Sequence, residues 1–218
     1  MQLDVFTLVP HAFAWLTEQR PVATVLGTEL DLRLFSYRDT TPLRAAQVDD
    51  EPYGGGAGMV LRVDVVAAAL DTVYGGVPDR RVIALTPQGR QLTQGVVEEL
   101  ADEERLTLLS ARFEGFDERV VQHLASDAIS IGPYVLSNGD LPAMVLVDAI
   151  ARRLPGAIKE ESGAVESFSS ELDGGLEYPH YTRPSEFRGW HVPEVLLSGD
   201  HGKIEEWRRE QSRRRTVT

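Results

Sequence analysis

The chain has 218 residues, 42% hydrophobic and 26% charged, enough for one substantial core and a small appended module. Its formal net charge of −12 argues against a generally sticky nucleic-acid binder, and its lack of cysteine excludes disulfides and thiolate chemistry. No apolar run is long enough to span a bilayer, and the start, MQLDVFTLVP, carries Asp4 and no basic segment, so a soluble, cytoplasmic protein is expected.

In chain order, Gln2 to Pro10 reads as a strand and His11 to Gln19 as the start of a helix. Leu30 to Tyr37 alternates apolar and charged residues, the period of a strand. Asp64 to Val73 reads as a helix, Arg81 to Leu85 as a buried strand, Thr93 to Ala101 as a helix and Leu106 to Ser110 as a second buried strand. Asp117 to Leu124 has helical spacing, Ala128 to Ile131 is a short strand, and Leu141 to Leu154 is an apolar helix closed by Pro155-Gly156. Strands alternating with helices predict an α/β domain on a mostly parallel sheet.

Residues 157–178 are polar and aperiodic, which marks a linker. Beyond it, Pro193 to Leu197 and a helix from about Gly202 to Arg213 form a small terminal module. From Glu177 onward eight Lys/Arg stand against seven Asp/Glu, so all of the excess acid precedes it. The end, EEWRREQSRRRTVT, is locally basic, and Trp207, Arg208 and Arg209 could meet an anionic polymer there. A solvated amphipathic helix is the commoner outcome for an isolated charge run.

The stretch DDEPYGGGAGM, Asp49 to Met59, invites a phosphate cradle, but the residues exclude it. A nucleotide-binding loop of that kind needs Lys-Ser or Lys-Thr after its last glycine, where Met59-Val60 stands, and Asp49, Asp50 and Glu51 would repel a pyrophosphate. A surface loop, or a site that needs bare backbone, remains. Three more loops follow predicted strand ends: LTPQGR (Leu85 to Arg90), SARFEGFDER (Ser110 to Arg119) and SIGPYVLSNGDLPAM (Ser130 to Met144). Each alone is an ordinary turn; together, at the carboxyl ends of strands, they could enclose a small molecule. The five histidines (His11, His123, His180, His191 and His201) are scattered, so no metal site is expected.

These loops, with RRLPG, YPHYTRP and VPEVLLSGDHGKIEEWRREQSRRRT, occur in order along essentially the whole chain, which resembles the bacterial tRNA (guanine-37-N1)-methyltransferases of the TrmD type in the SPOUT class. The resemblance implies a parallel sheet with helices on both faces, a deep C-terminal trefoil knot, and a small, mostly helical tRNA-contacting domain. It places the catalytic domain at 1–156, the linker at 157–178 and the small domain at 179–218. It implies an obligate homodimer acting on tRNA, with each site built from both subunits, no further protein partner, and S-adenosylmethionine as cofactor, with Mg2+ as a candidate auxiliary ion. By matching position, Leu85, Thr86, Pro87, Gln88 and Gly89 form the first cofactor wall, and Ala111 and Gly115 the second. Ile131, Gly132, Pro133, Tyr134, Val135, Leu136, Gly139 and Pro142 form the third. Tyr53, Gly55, Glu114, Arg183, Arg208 and Arg209 fall to the RNA substrate.

The family's base, usually an aspartate, falls on Glu166, with Arg152 steadying charge on guanine O6 (Arg153, on the next face, is the solvated alternative). The linker is about three residues longer than usual, so Asp173 is a fallback base. Further departures are Ala111, Pro133, Asn138 and the missing basic residues of Thr41 to Gln47; the chain also stops soon after RRRT. Two other functions stay open: a diverged methyltransferase for another RNA or a small molecule, and a non-catalytic cofactor-binding homologue.

Overall fold

The computed structural model describes residues 1–159 and 166–216, which form two compact units, Met1–Ala157 and Ile158–Thr218. Residues 160–165, inside the expected linker, and 217–218 lie outside the described residues.

The first unit alternates strand and helix. Its strands are β1 Gln2–Thr7, β2 Asp31–Ser36, β3 Asp49–Asp50, β4 Val60–Leu61, β5 Arg81–Gln91, β6 Arg105–Ser110 and β7 Asp127–Ser130. Its helices are α1 Ala14–Glu18, α2 Val22–Val25, α3 Tyr37–Thr40, α4 Val63–Tyr74, α5 Gln94–Ala101 and α6 Asp140–Ala151. Five strands make one parallel sheet in the order β2-β1-β6-β5-β7.

Strand periodicity sorts the core onto two faces. Leu3, Val5, Ile83, Leu85, Leu106 and Leu108 point to one face, where they meet Val97 and Leu100 of α5 and Leu146, Val147 and Ile150 of α6. Phe6, Val82 and Leu109 point to the other and pack on Val65, Val66, Ala69 and Leu70 of α4. Burial on both faces explains why the central strands read as near-continuous apolar runs. Helix ends follow their signals. The Thr93 side chain caps α5 by accepting from the Val96 N–H. Gly75, at φ +80°, closes α4 in the left-handed conformation that favours glycine.

One charge sits inside this core. Asp4 is fully buried and accepts from Arg33 at 2.7 and 2.6 Å, from Arg80 at 3.0 Å and from the Tyr74 hydroxyl at 2.5 Å. Two guanidiniums and a phenol supply the donors that a buried carboxylate needs.

Several elements differ from the sequence expectation. β5 does not stop at Leu85: Thr86 to Gly89 bulge outward, and Arg90 and Gln91 pair again with Ile129 and Ser130 of β7. Pro87 and Gly89 hide this continuation, because both residues ordinarily end strands. The segment expected as a helix over Asp117 to Leu124 is a single π-turn, Val120–Leu124. His11 to Gln19 divides into a 3-10 turn, Pro10–Phe13, and α1. The glycine loop is closed at its base by the antiparallel pair β3 and β4.

The second unit holds the segment from Glu166, a short hairpin (Glu186–Phe187 with Trp190–His191), and the helices Glu194–Leu197 and His201–Thr216. Among the described residues, no helix is long and apolar enough to cross a membrane.

Candidate active site

The bulge in β5 and the loops after β6 and β7 open into one cavity of about 460 Å³, a size suited to a nucleoside-like ligand. Leu85, Thr86, Pro87 and Gln88 line it from β5, and Ala111, Glu114 and Gly115 from the loop after β6. Ile131, Gly132, Tyr134, Val135, Leu136, Gly139 and Pro142 line it from the loop after β7.

Backbone hydrogen bonds stitch these loops together. The Gly139 N–H donates to the Ala111 carbonyl at 2.7 Å, and Arg112 and Asn138 form an isolated bridge. A Cβ on Gly139 would stand 3.0 Å from Ala111 N and from Ser110, so the close approach leaves a side chain there little room. The Leu92 N–H reaches the Ser130 carbonyl at 2.7 Å, and the Ser130 hydroxyl donates to the Gly132 carbonyl at 3.0 Å.

Beneath the loops lies a second buried carboxylate. Asp140 opens α6, and its Oδ1 accepts from Thr7 Oγ1 at 2.5 Å and from Ser110 Oγ at 2.6 Å. It therefore ties the ends of β1 and β6 to the loop that precedes α6. Its Oδ2 and the buried Tyr37 hydroxyl have no hydrogen-bond partner among the described residues. Burial pushes the Tyr37 hydroxyl well above the usual tyrosine range, Asp140 adds to the shift, and the Ser110 backbone opposes it.

The glycine loop packs on the second wall. The Glu114 N–H donates to the Met59 carbonyl at 2.9 Å, and the Leu61 N–H to the Gly115 carbonyl at 3.0 Å. The Glu114 side chain lies across Gly58, leaving no room for a Cβ there. Beside it, Asp117 takes a two-pronged contact from Arg119, which holds its carboxyl below the usual range.

Other expected residues lie elsewhere. Gly89 packs on β7, where a Cβ would meet Ile129 N at 2.4 Å, and neither it nor Pro133 lines the cavity. Tyr53 is fully exposed, and Gly55 is exposed on the glycine loop. Arg152 caps the end of α6, its N–H on the Asp148 carbonyl at 3.1 Å, and does not line the cavity. Burial pushes the Asp148 carboxyl up while Arg152 pulls it back. Arg153 leans to Glu98 of α5 at 3.5 Å.

In the second unit, Glu166 begins a folded loop, Arg183 is exposed, Arg208 lies 4.8 Å over the Tyr178 ring, and Arg209 pairs with Glu205. Sequence reasoning missed Arg112, Phe113, Ser130 and Asn138 in the cavity wall. Phe113 holds φ +62°, strained for a bulky residue, and no pattern in the sequence signals it. Among the described residues, no cluster of three or more acidic or histidine side chains could hold a metal ion.

Over residues 1–218 the sequence matches the family model described as tRNA (Guanine-1)-methyltransferase TrmD. The chain belongs to the TrmD family. A tRNA (guanine-N(1)-)-methyltransferase of Brevibacillus brevis is 47% identical over 218 residues, covering 99% of this chain and 88% of that protein. The protein of the same name from Geobacillus kaustophilus is 47% identical over 219 residues, with 99% and 88% covered. That from Dehalococcoides mccartyi is 46% identical over 220 residues, with 100% and 88% covered.

Proposed function

We propose that this chain methylates N1 of guanine 37 of tRNA, beside the anticodon, using S-adenosylmethionine. The observation that carries the reading is the cavity built by the β5 bulge and the loops after β6 and β7, in a chain that matches the tRNA methyltransferase family along its whole length. Its residues fit the cofactor. Leu85, Ile131, Leu136 and Pro142 offer apolar walls, and Thr86, Gln88 and Asn138 offer polar side chains. When bound, the cofactor supplies a methyl group on a sulfonium.

The chain's own residues do the acid–base work. Guanine N1 is a poor nucleophile until its proton is withdrawn, and Glu166 is assigned to take it, with Asp173 as the alternative. Arg152 is assigned to the negative charge that moves onto O6. Glu114 and the glycine loop, with Tyr53 and Gly55, are assigned to the guanine side, and Arg183, Arg208 and Arg209 to the RNA backbone.

A homodimer is part of the proposal. α6 is mostly apolar, and Leu141 and Val145, one turn apart, are 54% and 43% exposed, with Val135 of the preceding loop 85% exposed. A second copy of the chain would cover them and bring each linker to a site. The same reading includes the trefoil knot and the division 1–156, 157–178 and 179–218. A tRNA substrate places the protein in the cytoplasm. A monomer that still methylates tRNA, seen by sedimentation, would overturn the paired arrangement.

The deciding assay is methyl transfer to unmodified tRNA transcripts with guanine or adenine at position 37, with and without Mg2+. Transfer only to guanine 37 supports the proposal. Transfer independent of position 37 favours another RNA target, and cofactor binding without transfer favours a non-catalytic homologue.

A further inference from the structure

The helix His201–Thr216 is fastened to the loop that carries both candidate bases. The geometry points to Ser212 and Thr216 as positioning residues for the proton acceptor, an inference that rests on placing the base at Glu166 or Asp173.

Ser212 is buried, at 7% exposure, on an otherwise polar helix. Its hydroxyl donates to the Leu176 carbonyl at 2.6 Å. One turn later, Thr216 Oγ1 accepts the Leu176 N–H at 2.9 Å and donates to the Ser212 carbonyl at 2.9 Å. Positions i and i+4 of the helix thus take both backbone groups of a single residue. The neighbouring Gly175 completes the fit, since a Cβ there would stand 2.5 Å from Thr216 Oγ1 and 2.9 Å from the Leu172 carbonyl oxygen.

Leu176 closes a loop that starts at Glu166. The Phe168 N–H donates to the Gly175 carbonyl at 2.7 Å, and the Glu177 N–H to Ser167 Oγ at 3.1 Å, so the two ends are tied side by side. The Ser169 N–H returns to the Glu166 carbonyl at 3.1 Å, and the Gly174 N–H to the Ser169 carbonyl at 3.0 Å. Asp173 sits at the turn in a left-handed conformation, φ +51°. Both carboxylates therefore belong to one folded loop whose closing strand is held by two hydroxyls. A merely solvated tether has no use for such a clamp, and Ser and Thr are poorer helix formers than the Ala or Gln that would otherwise serve at those positions.

The same helix carries the basic side chains Arg208 and Arg213, and Arg208 also covers Tyr178, two residues beyond Leu176. RNA docked on the helix would carry the base loop with it in fixed register. The clamp then sets where the base stands without touching the reacting atoms.

The test uses the full chain with Ser212→Ala, Thr216→Val and the double variant. The expected result is a fall in turnover of roughly 10²-fold in the double variant at saturating tRNA and cofactor, the scale of a misplaced catalytic group. Binding of S-adenosylhomocysteine and KM for tRNA are expected to stay as in the parent, and Thr216→Ser, which keeps the hydroxyl, is expected to restore turnover. Parental turnover in the double variant would overturn the inference. So would a raised KM for tRNA with kcat unchanged, which would assign the clamp to docking alone. Failure of the base assignment shows separately, as full activity in both Glu166→Gln and Asp173→Asn.

Discussion

The Glu114 carboxylate occupies the space that a side chain on Gly58 would fill: a Cβ there would stand 2.4 Å from Glu114 Oε1 and 2.7 Å from Cγ. Gly58 also holds φ +85°, which other residues adopt at a cost of about 1–2 kcal/mol. Gly27, away from the cavity wall, offers a control, at φ +79° with nothing within 4 Å of its missing Cβ. Gly58→Ala is therefore expected to move Glu114 and lower methyl transfer by about tenfold or more, equivalent to roughly 1.4 kcal/mol of barrier. Gly27→Ala carries only the backbone strain and is expected to stay within a few-fold of the parent. Equal losses in the two variants would mean that the contact with Glu114 is incidental.

Asp140, at the start of α6, joins two strand ends under the cavity through Thr7 of β1 and Ser110 of β6. Asp140→Ala leaves both hydroxyls without their buried acceptor, an effect of about 1–3 kcal/mol on stability. Because the carboxylate anchors the loops and not the ligand, S-adenosylhomocysteine affinity is expected to fall as well, even well below the melting point. Urea unfolding and calorimetric titration check the two effects. Parental affinity in a destabilised variant would confine Asp140 to the core.

Tyr37 and Tyr74 are pushed above the usual tyrosine range, both chiefly by burial. A group that holds its proton more tightly when folded gives stability that is full below its unfolded pKa, near 10, and lost as pH rises toward the folded value. Stability is thus expected to decline above about pH 10. Tyr37→Phe removes a buried hydroxyl without a hydrogen-bond partner, so its cost near neutral pH is expected to be under about 1 kcal/mol. It is also expected to flatten the alkaline decline. Urea midpoints from pH 7 to 11 measure both, and an unchanged slope would show that Tyr37 does not titrate in this way.

These residues show what the sequence made legible. The central strands were readable because burial on both faces leaves little but apolar side chains, as in Arg81 to Leu85 and Leu106 to Ser110. The continuation of β5 was not, because Pro87 and Gly89 look the same in a strand bulge as in a turn. Gly89 packs on β7 and does not line the cavity, although it stands in the same motif as Gln88, which does. Gly/Pro-rich composition marks a close approach without saying whether a ligand or the sheet lies opposite. Asn138 and Ser130 are single polar residues with no spacing to betray them. The clamp joins residues 36 and 40 positions apart, beyond any local pattern.

Glu166 carries the sharpest remaining test. Glu166→Gln keeps the size of the side chain and removes its basicity, so methyl transfer is expected to fall by roughly 10²–10⁴-fold. Cofactor binding is expected to persist, because the three loops of the first unit are untouched. Glu166→Asp asks whether the extra methylene matters, and activity at or above the parental level would show that the site accepts either reach. Asp173→Asn is the necessary companion, since both carboxylates share one folded loop and the chain between them includes a turn closed by the Asp173 N–H on the Ser170 carbonyl at 3.1 Å. A loss confined to Asp173→Asn would move the base by seven positions and attribute the shift to the longer linker. Full activity in both variants would remove acid–base work from this loop. Guanine N1 would then have to lose its proton to another acceptor, with Glu114, already in the cavity wall, the next to substitute.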